Sequence, residues 1–387
     1  MRVVQVCRRA VAVATMSASA ALFVNVAPAQ ADTAGTLIAV EAQPDGWHGV
    51  SGGSVLEYWM RGSDGTPRQA SGALFVPPGP APATGWPVIA YDHGTSGLGA
   101  GCGGQSDPAG HPYQQIRSKE DQLIQGLLAQ GFAVVAPDYL GLGRFDTGPH
   151  PYLEIATEAS ATIDLLRAAR ATNPDLSRTW AVLGVSQGGQ AALGTGHRQA
   201  VDAPDLDFRG TIAIDPESDV EKILPLAGPV IPTIPGNDGA LSFFVSILAG
   251  LRAARPDVHV DQYLTPQGRA VLDRVGTQCL DGIIDTVHGL GVGDLLARPL
   301  AEEPIRSALD AYLTVPTSGY NAPILLLLNL TDTTVPAPLH AALAAQLAAN
   351  GVDFHTVTGT GKHTQLNPAM QAAIDAFLDR IKATPSQ

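Results

Sequence analysis

The sequence has 387 residues, of which 45% are hydrophobic and only 15% are charged. That composition can bury a large core, which excludes an intrinsically disordered chain, and 42 glycines without a regular period exclude a collagen-like fibre. Asp and Glu outnumber Lys and Arg by 36 to 23, and the formal net charge of −13 argues against a nucleic acid as the partner.

The N-terminal segment, residues 1–31, has the features of a secretory signal peptide. Three arginines precede an uncharged run that ends in Ala29-Gln30-Ala31, and small residues at these spacings are typical of a cleavage site. A membrane anchor is the alternative, but the run is rich in alanine and serine and is poorly suited to crossing a bilayer. We therefore predict that this segment is removed and that the product is secreted.

Removal of that segment would take away Cys7 and leave two cysteines, Cys102 and Cys279. An even number of cysteines in an oxidising compartment is typical of a disulfide-bonded protein. We predict a disulfide between them, with two unrelated buried thiols as the alternative.

Apolar runs bounded by turn residues predict strands that alternate with helices. The predicted strands lie at residues 55–60, 71–76, 87–92, 132–137, 180–184, 210–214, 324–330 and 352–357. The predicted helices of the same region lie at residues 118–130, 154–171, 187–197, 338–350 and 368–381. The later strands are continuously apolar, as in strands that are covered on both faces. This order predicts an α/β fold with a mostly parallel central sheet flanked by helices.

The segment at residues 216–320 interrupts the alternation, because it places about a hundred residues where a crossover needs far fewer. Its helical patterns lie at residues 242–251, 266–275 and 305–313. We interpret it as a helical cap inserted into a core formed by residues 32–215 and 321–387.

The sequence Gly184-Val185-Ser186-Gln187-Gly188 directly follows a predicted strand and opens a predicted helix. The pattern G-x-S-x-G in that context is a nucleophile elbow, in which a tight turn exposes the serine hydroxyl beside a helix N-terminus. Small residues at both ends of the pattern leave room for the turn. We therefore predict a catalytic role for Ser186, with a turn of no catalytic role as the alternative.

A serine nucleophile needs a base, and the base needs an acid that orients it. His363 lies in a loop just beyond the last predicted strand, where it could reach Ser186 and act as the base. The alternative is a histidine of a surface loop that has no catalytic role. Asp332 follows the preceding strand and is our predicted acid, although a carboxylate there could simply cap a helix or a turn. Asp215, which follows the strand before that, is the alternative acid.

An ester or amide hydrolase of this kind also needs donors for the oxyanion of the reaction intermediate. We predict the backbone N–H of Gln187, next to the nucleophile, and the N–H of Thr95, in the loop after an early strand. Gly94 is the neighbouring candidate, and an ordinary glycine turn is the alternative. The sequence contains no H-E-x-x-H or paired C-x-x-C, so we predict no metal site.

Taken together, these motifs resemble the α/β-hydrolase superfamily, and more closely the secretory lipase family of actinobacteria and fungi. The resemblance rests on residues 92–97, 137–143, 150–153 and 184–189 and on the Asp332 and His363 loops. It covers most of the chain after residue 31, but little of the cap. Val185 departs from the Tyr or His that is common before the nucleophile in relatives.

The resemblance implies a secreted lipase or carboxylesterase with an α/β-hydrolase fold and no metal or organic cofactor. Ser186, His363 and Asp332 would form a triad that works through an acyl-enzyme, with Gln187 and Thr95 as the oxyanion donors. A serine peptidase or amidase on the same fold is one alternative, and a non-catalytic binding protein is another.

For partners, we expect a small-molecule or lipid ester as the substrate, no nucleic acid and no stable membrane span. Transient contact with a lipid interface is compatible with this expectation. Apolar residues at 241–248 could line an acyl groove or form the core of the cap itself. The sequence therefore leaves the acyl chain length open.

Overall fold

The computed structural model of the chain describes residues 33–107 and 114–383. The predicted signal peptide lies outside these residues. Among the described helices, none combines the length and the apolar character that a membrane crossing requires.

A nine-stranded sheet forms the centre of the part that the structure describes. Its strands are β1 (Leu37–Ala42), β2 (Ser54–Arg61), β3 (Pro67–Phe75), β4 (Trp86–Asp92), β5 (Ala133–Pro137), β6 (Leu176–Val185), β7 (Asp207–Ile214), β8 (Ile324–Asn329) and β9 (Phe354–Gly359). Their order across the sheet is β1-β2-β3-β5-β4-β6-β7-β8-β9. The pairs between β1, β2, β3 and β5 are antiparallel, and all pairs from β5 through β4 to β9 are parallel. The predicted mostly parallel sheet is confirmed.

Helices cover both faces of this sheet. The helices are α1 (Gln114–Ala129), α2 (Ile155–Thr172), α3 (Gln187–Asp202), α4 (Val220–Ile223), α5 (Asp238–Ala254), α6 (Pro266–Val275), α7 (Leu280–Val287), α8 (Val292–Leu295), α9 (Ile305–Leu313), α10 (Ala337–Ala349) and α11 (Pro368–Ala383). Alternate residues of β8 point to opposite faces: Leu326 packs in a cluster with Leu347 of α10, whereas Leu325 packs with Ile124 of α1 and Ile374 of α11. All residues of β5 and β8 are buried, which explains their continuous apolar sequences.

Four of the strands and helices named above have no counterpart among the sequence predictions: β1, α4, α7 and α8. β1 is an edge strand that pairs only with β2 in the sheet order, and four of its six residues are exposed although it begins with four apolar residues. α7 is a short helix of eight residues within the insertion. The last strand, β9, begins two residues later than its predicted position at 352–357.

The insertion between β7 and β8 is helical, as predicted, and contains α4 to α9. It has a hydrophobic cluster of its own, to which Val245 and Leu248 of α5, Leu272 of α6 and Leu309 of α9 contribute. Leu98, from the loop after β4, joins the same cluster and links the insertion to the sheet.

A disulfide between Cys102 and Cys279 makes a second link, with the two Cα atoms 5.3 Å apart. It connects the loop after β4 to the residue that precedes α7. Two backbone hydrogen bonds flank it: Leu98 N donates to Gln278 O at 2.8 Å, and Leu280 N donates to Ser96 O at 2.9 Å. The loop after β4 and the start of α7 are therefore fixed to each other covalently and by backbone pairing.

We expect loss of this disulfide to lower the stability of the folded protein. The cysteines are 177 residues apart in sequence, and closing a loop of that size stabilises a fold by about 4–5 kcal/mol in the chain-entropy model. Guanidinium unfolding should give a lower midpoint for Cys102→Ser/Cys279→Ser than for the oxidised wild type. Dithiothreitol should lower the midpoint of the wild type but leave that of the double variant unchanged, and equal midpoints for oxidised and reduced wild type would contradict the prediction.

Candidate active site

The carboxyl ends of the parallel strands bring the predicted site residues to one edge of the sheet. Ser186 stands between β6 and α3, Asp332 follows β8, and His363 follows β9. Gly94 and Thr95 follow β4 and line the same cavity as Ser186 and His363. Loops at this edge are the usual location of ligand sites in α/β sheets.

The turn at Ser186 is as tight as the nucleophile-elbow pattern predicts. Ser186 has φ 58° and ψ −120°, a conformation that side-chain-bearing residues rarely adopt. A Cβ atom on Gly184 would overlap the carbonyl group of Gly188, and a Cβ atom on Gly188 would overlap the carbonyl oxygen of Asp92. The two glycines are therefore required by close backbone contacts, and Ser186 is held at the start of α3.

A hydrogen-bonded path connects the three predicted catalytic residues. His363 Nε2 lies 2.8 Å from Ser186 Oγ, and His363 Nδ1 lies 2.5 Å from Asp332 Oδ2. Since the carboxylate can only accept, Nδ1 carries the proton, and Nε2 of the neutral ring is free to accept the serine hydrogen. Asp332 is buried, and Ser186 is only 8% exposed.

Asp332 has further hydrogen-bond donors that keep it ionised. Its Oδ1 accepts from the backbone N–H of Thr334 at 2.8 Å and of Val335 at 3.2 Å, so it also caps the turn as the alternative interpretation suggested. His340 Nε2 lies 3.4 Å from Oδ2. Burial alone would raise the pKa of Asp332, but the hydrogen bonds from His340 and His363 outweigh it and hold that pKa well below its usual range.

The hydrogen bond between Asp332 and His363, which lowers the pKa of the aspartate, raises the pKa of the histidine. Burial lowers the pKa of His363, but the hydrogen bond and the negative charge of Asp332 outweigh it, and Glu217 and Asp215 add to the effect. The pKa of His363 is therefore raised above its ordinary value. Charge-assisted pairs of this kind stabilise the imidazolium that forms when the ring takes a proton.

Sequence reasoning missed two titratable groups beside this path. His340 lies inside α10, where a buried histidine gives no pattern that separates it from a core residue. Glu217, which follows β7, is buried, and this burial raises its pKa to about 7, with His363 opposing the shift and Asp332 and Glu158 adding to it. Neither residue belongs to a recognisable motif, so only the structure brings them to the site.

Asp215, Asp332 and His340 form the one cluster among the described residues whose side-chain atoms have ligand-like spacing for a metal ion. Asp332 Oδ2 already accepts the hydrogen bond from His363, and Asp215 accepts hydrogen bonds from amide groups. We therefore interpret the cluster as a hydrogen-bonded network.

Of the two predicted oxyanion donors, Gln187 directly follows Ser186 in the chain, and Thr95 lines the same cavity as Ser186. The side chain of Gln187 is held in the interior, with Nε2 2.7 Å from both His150 Nε2 and Glu158 Oε1. Its backbone N–H is in the first turn of α3, where helix N–H groups lack intrahelical partners. Thr95 Oγ1 lies 2.9 Å from the hydroxyl of Tyr152, which fixes the Thr95 side chain beside the cavity.

A cavity of about 230 Å³ opens beside the serine. It is lined by Tyr91, Gly94, Thr95, Lys119, Glu120, Leu123, Val185, Ser186, Ile214, Phe243, Leu280, Thr334, His363, Thr364 and Leu366. The insertion contributes Phe243 and Leu280. Of the apolar residues at 241–248, Leu241, Phe244 and others are buried in the insertion's own core, whereas Phe243 is only partly buried against that core and also lines the cavity. The segment therefore forms part of the insertion's core, and an acyl groove at Phe243 stays a prediction.

Comparisons with known proteins agree with this architecture. A family model described as "Secretory lipase" matches residues 114–387. Among solved structures, lipase A of Candida antarctica is 20% identical with a TM-score of 0.73, covering 92% of this chain and 84% of its own. The rice cell wall degrading esterase LipA from Xanthomonas oryzae is 22% identical with a TM-score of 0.68, covering 90% and 97%. No curated protein matches the chain. The predicted α/β-hydrolase fold is confirmed by these likenesses.

We expect Gly188→Ala to destabilise the fold, because its new Cβ atom would displace the backbone of Asp92. Overpacking that forces the backbone to shift costs about 1–3 kcal/mol. Gly126→Ala is the matched control: this glycine lies inside α1 with open space around it, so alanine should stabilise the protein by about 0.5–1 kcal/mol. Urea unfolding of both variants checks the prediction, and a wild-type midpoint for Gly188→Ala would contradict it.

Proposed function

The chain belongs to the secretory lipase family, and from this premise we propose that it is a secreted hydrolase of carboxylic esters. The lipases and esterases among its structural neighbours support ester hydrolysis as the reaction class. The observation that carries the mechanism is the continuous hydrogen-bonded path from Ser186 Oγ through His363 to Asp332.

The first half of the proposed reaction forms an acyl-enzyme. His363 Nε2 takes the proton of Ser186 while Oγ attacks the carbonyl carbon of the ester. The carbonyl oxygen, on which a negative charge develops, accepts hydrogen bonds from the backbone N–H groups of Gln187 and Thr95. Buried Asp332 holds the ring of His363 in place and stabilises its protonated form.

The second half returns the enzyme to its starting state. His363 gives its proton to the leaving alcohol as the bond between the carbonyl carbon and the alkoxy oxygen breaks. A water molecule then attacks the acyl-serine while His363 takes one of its protons, and the acid leaves with Ser186 restored. Each proton moves through His363, so the proposed cycle requires no added cofactor.

From the size of the cavity we infer a preference for esters with short acyl chains. Its volume of about 230 Å³ is below the roughly 300–1,000 Å³ of typical small-molecule sites. The walls are largely apolar, with Leu123, Ile214 and Phe243 among them. We therefore propose a carboxylesterase acting on short acyl chains, and the polar groups that orient the ester are those of the triad and of Thr95.

Export is supported by two independent features. Residues 1–31 have the charge and length pattern of a signal peptide. The disulfide between Cys102 and Cys279 is typical of proteins that fold in oxidising compartments. We propose that the folded enzyme acts outside the cell.

We expect the chain to hydrolyse p-nitrophenyl esters, with kcat/KM highest for short acyl groups and much lower for palmitate. Ser186→Ala should lower kcat by several orders of magnitude, because it removes the nucleophile. Ser246→Ala is the matched control, since this buried serine bonds to Ser242 O within α5. Wild-type turnover by Ser186→Ala would refute the mechanism, and faster cleavage of p-nitroanilides than of esters would favour an amidase.

We expect kcat/KM to rise with pH as His363 loses its proton, since only the neutral ring can act as the base. The pKa of His363 is raised by Asp332, so the half-maximal point should lie above the ordinary histidine value of about 6.5. Asp332→Asn removes the charge, so the acid limb should move to lower pH and kcat should fall by roughly 10⁴-fold. Exposed Asp257, paired with Arg255, offers the control Asp257→Asn. An acid limb that stays in place in Asp332→Asn would contradict the assignment.

A further inference from the structure

Asp215, the alternative acid, is buried at the end of β7 and has a role other than that of the triad acid. Its Oδ1 accepts a hydrogen bond from Asn329 N, and its Oδ2 accepts from Asn329 Nδ2 and from Thr364 N, each at 2.7 Å. None of these donors is the ring of His363, whose Nδ1 donates to Asp332. Asp215 instead contacts the backbone of the residue that follows His363.

Asn329, the last residue of β8, holds the same loop at two further points. Its Oδ1 accepts from Gly361 N at 3.0 Å, and its Nδ2 donates to Gln365 O at 3.1 Å. The side chain of Asn329 is buried and also donates to Asp215. The loop is therefore bound at Gly361 on one side of His363 and at Gln365 on the other.

We propose that Asp215 and Asn329 are positioning residues that fix the loop of His363 for its proton transfers. We call the pair the Asp215–Asn329 clamp. This inference rests on the ester hydrolase mechanism proposed above, in which His363 is the base.

The backbone of the loop explains why it needs a clamp. Thr364 has φ 62°, a left-handed conformation that a threonine seldom adopts and that persists where its surroundings hold it. The Thr364 N–H donates to a buried carboxylate, and hydrogen bonds to ionised acceptors are stronger than those between neutral groups. The carboxylate in turn needs these N–H donors, because a buried charge without partners is costly.

The clamp also fixes the acid relative to the base. Asn329 O accepts a hydrogen bond from Asp332 N at 3.1 Å. Asn329 therefore contacts both the loop of His363 and the backbone of Asp332. His363 must keep both Ser186 Oγ and Asp332 Oδ2 within hydrogen-bond reach during the reaction. Misplacement of a catalytic group by about 1 Å can cost about 100-fold in rate.

The test measures kcat per functional site in Asp215→Asn, Asn329→Ala and the double variant, with functional sites counted by titration with an organophosphonate. We expect each single variant to lower kcat about 100-fold with KM within about twofold of wild type. The double variant should lose about as much as either single, because the residues act as one unit. Asp164→Asn is the control: Asp164 of α2 accepts the backbone N–H of Arg61 at 3.0 Å, so its loss should affect stability and leave kcat per site unchanged.

A second readout does not depend on turnover. The proton between His363 Nδ1 and Asp332 gives a downfield ¹H NMR resonance, which we expect to shift or disappear in Asp215→Asn. Wild-type kcat per titrated site together with an unchanged resonance would overturn the clamp, even if the variants were less stable. If the wild type itself hydrolyses no ester, the proposed function fails, and the resonance alone then decides whether the clamp holds the loop.

Discussion

The shared direction of the strands β4, β6, β7, β8 and β9 is the constraint on which the site depends. Parallel strands end at the same edge of a sheet, and residues that follow these strands meet there, among them Thr95, Ser186, Asp215, Asp332 and His363. These residues are far apart in sequence, and no local interaction could bring them together. The continuous apolar sequences of the strands, which fix the sheet between two helical layers, therefore also determine the geometry of the site.

This dependence explains how much the sequence could predict. Apolar runs mark the strands, so the residues that follow them, Ser186, Asp332 and His363, can be picked out without a structure, and the structure brings them into hydrogen-bond contact. The role of Asp215 could not be predicted in this way, because Asp215 and Asp332 both follow buried strands. The two carboxylates differ in the groups that they contact: Asp332 binds the ring of His363, whereas Asp215 binds backbone N–H groups that are more than a hundred residues away in sequence.

In the insertion, the sequence pattern could not predict which apolar residues line the cavity and which are buried in the core. Of the apolar residues of α5, Leu241, Phe244 and Leu248 are buried in the insertion's own cluster, whereas Phe243 is only partly buried against it and also lines the cavity. A helix has several faces, and apolar residues on two of them look alike in sequence. Phe243 of α5 lines the same cavity as Ser186, and so does Leu280 of α7, which directly follows the disulfide-bonded Cys279; the periodicity of the sequence reports neither contact.

The charge state of each carboxyl group at the site follows from the donors that surround it. Asp332 is buried, yet two backbone N–H groups and two histidines hold its pKa below the usual range. Asp92 is also buried and accepts from the hydroxyl of Thr162, but burial dominates and raises its pKa well above the ordinary value. Glu217, raised to about 7, is intermediate. Burial raises the pKa of all three groups, but in Asp332 the hydrogen bonds from His340 and His363, with that of the Thr334 N–H adding to them, outweigh burial and keep a negative charge beside His363. That charge raises the pKa of His363 and makes it a stronger base.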